Sequence, residues 1–447
     1  MLYYLQVILY NIINNSKDYK TMINGLIEYL NKSKTAYQAV EEAAGLLIAA
    51  GFTELSESKQ WNLNKNGKYF VIRDGSALIA VKTGNLKNYS YNIAASHTDS
   101  PCFKIKQNPE IKTENYMKLN VERYGGGLYY TWLDRPLTVA GRIVVADGEK
   151  IKSVPYVSDK NFVIPSVAIH FNRNANDGIK FNPQTDLCPI SSLFGEKQFE
   201  SELEKAAGGK EVIDADLFIV NNENAFFSGF NNEFLSSSRI DNLTSAYSSV
   251  EAIISAKPKC IDIAFLADNE EVGSGTKQGA GSKFLYDVIE RINSSFGKNE
   301  EDLKIALSSS FMLSCDNAHA THPNHPELSD PTNKVLMNNG IVIKHHANLN
   351  YTTDAVSSSL IKSVLKKANV PYQDFFMRSD LPCGGTLGTI SSRQLSVRSA
   401  DIGIAQLAMH SNTETFGVKD FGFMLEGVKA FYECAFLSDG FSEIEII

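Results

Sequence analysis

The chain has 447 residues, and its 43 Lys and Arg against 51 Asp and Glu give a formal net charge of −8. Binding to nucleic-acid phosphates requires a basic surface, so this balance argues against a nucleic-acid-binding protein. Hydrophobic residues make up 43% of the chain and charged residues 21%, proportions typical of a globular protein with a large core and two or three domains.

Cysteine usage and the first residues suggest where the protein resides. The six cysteines are scattered and form no Cys-x-x-Cys pair, so we expect a reduced protein of the cytoplasm. Residues 2–16 are uncharged and largely apolar, but they include Asn and Gln, lack a basic segment and are too short to span a bilayer. We therefore expect no membrane association and interpret 2–16 as a packing or oligomer-contact helix, or partly as extra residues before Met22.

The first part of the chain combines a helix with strands. Apolar residues at helical spacing predict a helix over 34–52 that ends near Gly51. Three predicted strands follow, at Lys68–Arg73, 77–82 and 91–96. The third strand stops at His97, shortly before Pro101, so the first chemically distinctive residues lie at a strand end.

The pattern changes between residues 103 and 234, where short β-rich runs such as 137–145 and 162–170 alternate with turns and no long amphipathic helix is evident. Alternation then returns, with a helix at 242–257, a strand at Ile261–Ala267, a helix at 283–293, a strand at Phe311–Cys315 and a helix near 356–367. We predict an α/β fold with a mixed, mostly parallel sheet flanked by helices. One domain would comprise 1–103 and 236–447, and a β-rich insert 104–235.

Histidine and acidic residues gather at the predicted strand ends: His97, Asp99, Asp241, Glu270, Glu271, Asp316 and His410. Ligands of open α/β sheets bind beyond the carboxyl ends of the strands, so these residues can converge. Carboxylates gathered there would repel one another without a cation, which favours a metal site. Taken singly, each motif also has a structural explanation, such as a turn, a helix N-cap or a solvated acidic loop.

The spacing of these residues suggests which of them bind a metal and which orient a ligand or contact a bound water. His97 and Asp99 are two apart, which suits a ligating imidazole oriented by a carboxylate. Glu270 and Glu271 are adjacent and should point differently, so one can ligate while the other reaches a bound water. Five ligands, one of them shared, suit two divalent ions, with zinc, manganese and cobalt as candidates.

Several other chemistries lack their motifs. No His-Glu-x-x-His occurs, Gly273 to Lys277 lacks the spacing of a phosphate loop, and no Gly-x-Ser-x-Gly elbow is present.

In combination, seven ordered motifs between about Asn31 and His410 resemble those of the aspartyl aminopeptidase family. They are ASHTDSP at 95–101, YGGG at 124–127, Asp134-Arg135, SRIDN at 238–242, DNEEVGS at 268–274, HATHPN at 319–324 and QLAMHS at 406–411. The resemblance implies a cytosolic two-metal aminopeptidase acting on peptides with a free amino terminus. It also implies that the β-rich insert is an oligomerisation domain and that the subunits form a tetrahedral dodecamer.

The resemblance also implies roles for individual residues. Asp241 would bridge two metals, and the remaining ligands would be His97, Glu271, Asp316 and His410. Glu270 would be the general base, taking a proton from the attacking water and returning it to the leaving amine. Asp99 would orient His97.

Substrate contacts follow from the same resemblance. Tyr351 would be an oxyanion donor, Lys344 would recognise an acidic first side chain, and His170 would reach a neighbouring subunit's active site. Without the resemblance, Lys344 would be interpreted as an ordinary exposed lysine and His170 as an ordinary strand residue. We expect His319 and His322 to position substrate or support the ligands.

Three alternatives stay open at this point. Asn350 replaces the Arg that usually precedes the tyrosine in the family, so a preference for neutral, leucine-type termini is possible. A related two-metal amide deacylase would use the same ligands. A non-enzymatic assembly or cargo protein is disfavoured, because all five ligand positions and Glu270 are present.

Overall fold

The computed structural model describes residues 17–193, 198–438 and 443–447, with side chains from residue 20 onward. Residues 2–16, for which we predict a packing or contact helix, lie outside this range. The described helices are α1 Lys17–Lys32, α2 Ala36–Ala49, α3 Pro183–Asp186, α4 Gln198–Ala206, α5 Ile240–Ser255, α6 Phe284–Ser295, α7 Glu300–Ser308, α8 Ala355–Lys367, α9 Leu387–Leu395 and α10 Val418–Tyr432. None of them combines the length and apolar composition needed to cross a membrane.

The strands fall in three stretches of the chain. The first holds β1 Thr53–Glu54, β2 Lys68–Arg73, β3 Ala77–Thr83 and β4 Tyr91–His97. The second holds β5 Cys102–Thr113, β6 Tyr116–Tyr124, β7 Leu137–Asp147, β8 Lys150–Val157, β9 Ile190–Ser192 and β10 Val212–Asn221. The third holds β11 Phe226–Ser228, β12 Phe234–Ser237, β13 Ile261–Ala267, β14 Phe311–Cys315, β15 Ala318–His319, β16 Ile341–His345, β17 Tyr372–Phe376, β18 Arg398–Gly403, β19 Ala405–Leu407, β20 Glu414–Gly417, β21 Phe436–Ser438 and β22 Ile444–Ile446.

Local signals set several helix ends. Helix α2 ends as predicted, because Gly51 takes a φ of +81°, which a glycine adopts without steric cost. Helices α7 and α8 each begin with a capping box, built by Asn299 with Asp302 and by Asp354 with Ser357.

A nine-stranded mixed sheet, in the order β1-β2-β3-β13-β4-β14-β18-β16-β17, forms the centre of the molecule. Five of its pairings are parallel, and three are antiparallel. Strands β13 and β14 are buried at every position, because helices cover both faces of the sheet. Helices α1, α2, α5, α8 and α10 pack on one face, and α6, α7 and α9 on the other. The predicted fold class is confirmed.

A six-stranded antiparallel sheet, β8-β7-β10-β5-β6-β9, uses only residues between 102 and 221 and has its own hydrophobic core. The strand predicted at 162–170 is wrong. Only Phe162 and Val163 form isolated bridges, with Leu137 and Ile190. Pro165 has no backbone N–H to continue the ladder, and the segment proceeds irregularly to a turn at His170.

A five-stranded sheet, β11-β12-β20-β19-β15, connects the end of the insert region with the C-terminal part of the chain. Strand β12 leads into α5 and pairs with β20, so the sequence around Asp241 is placed next to the loop that carries His410. The boundaries at 104 and 235 stay predictions.

Candidate metal centre

The carboxyl ends of three neighbouring parallel strands place the first group of candidate residues. Strands β13, β4 and β14 are adjacent in the central sheet and run in the same direction. His97 is the last residue of β4, Glu270 and Glu271 form a 3₁₀ turn after β13, and Asp316 follows β14. Residues separated by more than 200 positions therefore meet at one edge of the sheet, as is usual for sites in open α/β sheets.

Asp241 reaches this edge from the neighbouring five-stranded sheet. It lies in the first turn of α5, after Arg239 in the left-handed region at φ 60°, and the Asp241–Asn242 peptide is cis. Its backbone is held on both sides, since its N–H donates to Glu414 Oε2 at 2.9 Å and its carbonyl accepts from Ser100 Oγ at 2.8 Å. The Asn242 side chain donates to the Cys315 carbonyl at 2.8 Å. These bonds fix Asp241 beside the end of β14.

His410 lies in the loop between β19 and β20, also with a left-handed φ of 66°. Its N–H donates to Glu414 Oε1 at 2.7 Å, and its Nδ1 lies 3.0 Å from the carbonyl of Gly126. That carbonyl can accept from Nδ1–H, which leaves Nε2 free as a ligand.

Three groups of potential ligands result, each with its donor atoms within 4.8 Å of one another. They are His97 with Asp241 and Asp316, Asp241 with Glu271 and His410, and His97 with Glu270 and Glu271. The two Asp241 oxygens face in different directions, since Oδ1 lies 3.6 Å from His97 Nε2 and Oδ2 lies 3.5 Å from His410 Nε2. Asp241 therefore faces both histidines at once.

The electrostatics of the cluster fit a cation site. Asp241 Oδ1 and Glu271 Oε1 are buried and accept no hydrogen bond from any described residue. Burial, opposed by His97 and reinforced by Asp316, raises the pKa of Glu270 to about 7. Burial, opposed by Lys344, raises the pKa of Asp316 to about 6. Orphaned, crowded carboxylate oxygens with two imidazoles form the donor set that divalent ions bind.

Asp99 lies next to His97, as the sequence analysis expected, and it also binds two other segments of the chain. Its carbonyl lies 3.1 Å and its Oδ1 3.3 Å from His97 Nδ1. Its carboxylate also accepts the backbone N–H groups of Glu270 and Glu271, both at 3.1 Å, and the Tyr124 hydroxyl at 2.7 Å. Asp99 thus connects the end of β4 to the turn after β13.

The predicted substrate residues lie in different surroundings. Lys344 is only 2% exposed, so its interpretation as an ordinary exposed lysine is wrong. Its Nζ donates to the Asn317 carbonyl at 3.0 Å, lies 3.9 Å from Asp316 Oδ2 and sits 5.0 Å from the centre of the Tyr351 ring. Lys344 and Tyr351 therefore lie next to the cluster.

The three other histidines that the sequence analysis assigned to the site, His319, His322 and His170, are exposed. His319 lies on β15 with its ring centre 6.3 Å from that of Phe375, and the exposed His322 is 5.3 Å from His325. His170 is exposed in a turn between β8 and β9 and belongs to none of the three groups.

Two buried carboxylates were missed by the sequence analysis. Glu414, 2% exposed, accepts the backbone N–H groups of Asp241 and His410 and so sets the distance between them. Asp401, fully buried, accepts from Thr352 N at 2.6 Å, Thr352 Oγ1 at 2.7 Å and the Thr386 hydroxyl. It therefore fixes the loop that follows Tyr351. Neither residue stands in a strand-end motif that marks it as special.

Comparisons with known proteins agree with this geometry. The model of the family described as aminopeptidase I zinc metalloprotease (M18) matches residues 29–432. A probable M18 family aminopeptidase 2 of Clostridium novyi (strain NT) is 43% identical, covering 92% of this chain and 98% of that protein. A probable aspartyl aminopeptidase of Ricinus communis is 35% identical, covering 91% and 94%.

The fold also matches solved structures. The mApe1 dodecamer of S. cerevisiae superposes with a TM-score of 0.80 at 28% identity, covering 93% of this chain and 97% of that one. The family match spans most of the chain and includes every residue of the cluster. The chain therefore belongs to the M18 family of zinc metalloproteases, and it is a metal-dependent aminopeptidase that hydrolyses peptide bonds.

Proposed function

We propose that this aminopeptidase removes an N-terminal aspartate or glutamate from peptides. The observation that carries the proposal is the buried cluster in which Asp241 belongs to two ligand groups, with Lys344 within 3.9 Å of Asp316. A fixed ammonium beside the metal ligands can pair with an acidic side chain. The name aspartyl aminopeptidase of the Ricinus communis relative supports the same specificity.

Two groups would hold two metal ions, zinc in the first instance, with manganese or cobalt as alternatives. His97, Asp241 and Asp316 would form one site, and Asp241, Glu271 and His410 the other. Bound there, the ions would supply Lewis acidity and make water a nucleophile near neutral pH. The orphaned oxygens of Asp241 and Glu271 support this assignment.

Glu270 would be the general base. Its carboxylate lies against His97 and Glu271, and its backbone is fixed through Asp99. A pKa near 7, raised by burial, suits a group that takes a proton from water and returns it to the leaving amine.

Tyr351 would stabilise the developing oxyanion. It is 5% exposed, and burial raises the pKa of its phenol, which keeps the proton available for donation. Asp401 holds the following residue, Thr352, through two hydrogen bonds and so would act as a positioning residue for Tyr351.

Substrate turnover tests the function. We expect the metal-reconstituted protein to hydrolyse aspartyl and glutamyl peptides with a free amino terminus, and not the acetylated forms. A preference for leucyl peptides would instead support the neutral alternative. Asn350 is compatible with that alternative, because its neutral amide, which donates to the Cys383 carbonyl at 2.8 Å, brings no positive charge to the residue before Tyr351. Turnover of acetylated substrates alone would overturn the aminopeptidase specificity in favour of a deacylase.

Lys344→Leu tests the proposed selector. We expect kcat/KM for acidic peptides to fall by about 30-fold or more, because the variant lacks the ammonium that would pair with the acidic side chain of the substrate. Truncating one partner of a buried charge pair costs about 2 kcal/mol or more. Leucyl peptides should change far less, and this ratio is the measurement. Lys362→Leu is the matched control. It makes the same substitution at a lysine whose ammonium pairs with Asp374 at 2.7 Å instead of with a candidate metal ligand. An equal loss on both substrate classes removes Lys344 from the pocket.

The assembly and location are part of the same proposal. We propose a homo-oligomer, a dodecamer like the S. cerevisiae relative, in which the insert at 104–235 mediates contacts and His170 reaches a neighbouring active site. The domain of 1–103 and 236–447 would carry the chemistry. Six free thiols support a cytoplasmic location.

A further inference from the structure

A cavity of about 250 Å³ lies behind the metal centre, between the start of α2, the six-stranded sheet and the segment 238–241. Among the described cluster residues, only Asp99 and Asp241 line it. The two histidines, Glu270, Glu271 and Asp316 are not among its lining residues. The cavity is therefore a separate space that shares one wall with the metal centre.

Lys34 lines this cavity as a buried cation without a counterion. It is 8% exposed, and its ammonium makes no hydrogen bond or ion pair with any described residue. Burial, reinforced by the positive charge of Arg239, lowers the pKa of Lys34 to about 7. The charged form of Lys34 is therefore costly without a partner, and an anion bound beside the ammonium would favour that form.

Arg239 is the second cation, also 8% exposed. Its two terminal nitrogens reach only backbone carbonyls, those of Asn221 and Leu30, each at a long 3.4 Å. Its Nε is buried and has no acceptor in the described part of the chain. Arg239 therefore brings to the cavity wall a positive charge that no described carboxylate pairs with at ion-pair distance, and such a charge attracts an oxyanion.

The N-terminus of α2 adds a third positive element. Thr35 is the N-cap residue, but its hydroxyl donates to Gln38 Oε1 at 2.6 Å and caps no backbone N–H of the described helix. The first turn has no acidic residue. Lys34, Thr35 and Ala36 all line the cavity, so the helix dipole is directed at it.

The other charged groups of the cavity already have partners. Lys104 and Arg142 both bind Asp216, at 2.8 and 2.9 Å. Glu414 accepts the N–H groups of Asp241 and His410, and Asp99 accepts three donors. Asp268 accepts the N–H of Asn269 at 2.7 Å, and burial raises its pKa to about 7. None of these carboxylates lies within ion-pair distance of Lys34 or Arg239 among the described residues.

We propose that this cavity binds an oxyanion of the size of phosphate or sulfate, held between Lys34, Arg239 and the N-terminus of α2. The volume exceeds what one tetrahedral anion fills, so several waters, each about 30 Å³ in the liquid, would share the space. The bound anion neutralises two cations and anchors the segment that leads into Asp241.

Sulfate binding tests the site without relying on turnover, so the outcome is independent of the proposed specificity. Sodium sulfate replaces sodium chloride at constant ionic strength on the metal-loaded full chain, and the Tm is recorded. Sulfate is used because it binds zinc weakly. We expect a saturable rise in Tm for the wild type. Lys34→Met should lose the rise, and Lys104→Met, which removes an already paired cation of the same cavity, should retain it.

Three results would overturn the proposal: no saturable rise in the wild type, an unchanged rise in Lys34→Met, or the same saturation with chloride alone. In the absence of sulfate, Lys34→Met should have a Tm no lower than the wild type, since it removes an unpaired buried charge. A measurement independent of variants uses wild-type crystals soaked in selenate. Anomalous density for selenium between Lys34 and Arg239 is expected, and its absence would contradict the site.

Discussion

Glu270→Gln should lower kcat for peptide hydrolysis by about 10²- to 10⁴-fold, the usual contribution of a general base, while the metal content stays at the wild-type level. The substitution keeps the size of the side chain and its place on the turn fixed by Asp99. It removes only the capacity to accept a proton. A loss confined to kcat is expected, because Glu270 belongs to neither of the two groups that contain Asp241.

Glu271→Gln is the matched control, since it makes the same change one residue along the same turn. Glu271 shares a group with Asp241 and His410, so this variant should lose metal as well as activity. The measurements are kcat and the metal bound per chain after dialysis. Metal loss in Glu270→Gln would make Glu270 a ligand, and full activity would remove it from the reaction.

The fold was predictable where burial leaves a continuous apolar run. Strands Ile261–Ala267 and Phe311–Cys315 were predicted with their observed bounds, because both are covered on both faces and contain almost no polar residue. The segment 162–170 has similar β-forming residues, yet Pro165 stops the pairing after Val163. Residue preference alone does not show which runs have a neighbour to pair with.

The candidate site was predictable because its residues follow strand ends, where an open α/β sheet brings distant positions together. Glu414 and Asp401 could not be found in this way. Their importance depends on backbone N–H and hydroxyl donors contributed by other parts of the chain, such as those of Asp241 and Thr352. Lys344 was ambiguous for the same reason, since only the tertiary fold shows that it is buried beside Asp316.

The two missed residues share a physical role with Asp99, which the sequence analysis did predict. Asp99, Glu414 and Asp401 are buried acceptors that collect N–H or hydroxyl donors from two or more segments. Each fixes the spacing of side chains that must converge to within a few ångströms. Such supporting contacts are needed because metal ligands on separate loops lose affinity when their positions relax.

The number of metal ions lost should distinguish a ligand shared by two metals from a ligand of one metal. Asp241 presents Oδ1 to His97 and Oδ2 to His410, whereas His410 belongs to a single group. We therefore expect Asp241→Asn to lose both metals on dialysis and His410→Ala to keep about one per chain, because the His97 and Asp316 site stays complete. Activity should fall to background in both.

Metal bound per chain, measured by elemental analysis alongside circular dichroism to confirm folding, decides between these outcomes. Asn at position 241 retains the size of Asp and the backbone N–H that Glu414 accepts, so a loss of metal reflects the missing carboxylate oxygen rather than collapse of the loop. His325→Ala, at an exposed histidine that pairs with Glu327 and lies outside all three groups, is the control and should keep the full content. Equal metal contents in Asp241→Asn and His410→Ala would contradict the shared role of Asp241 and leave a single metal site as the alternative.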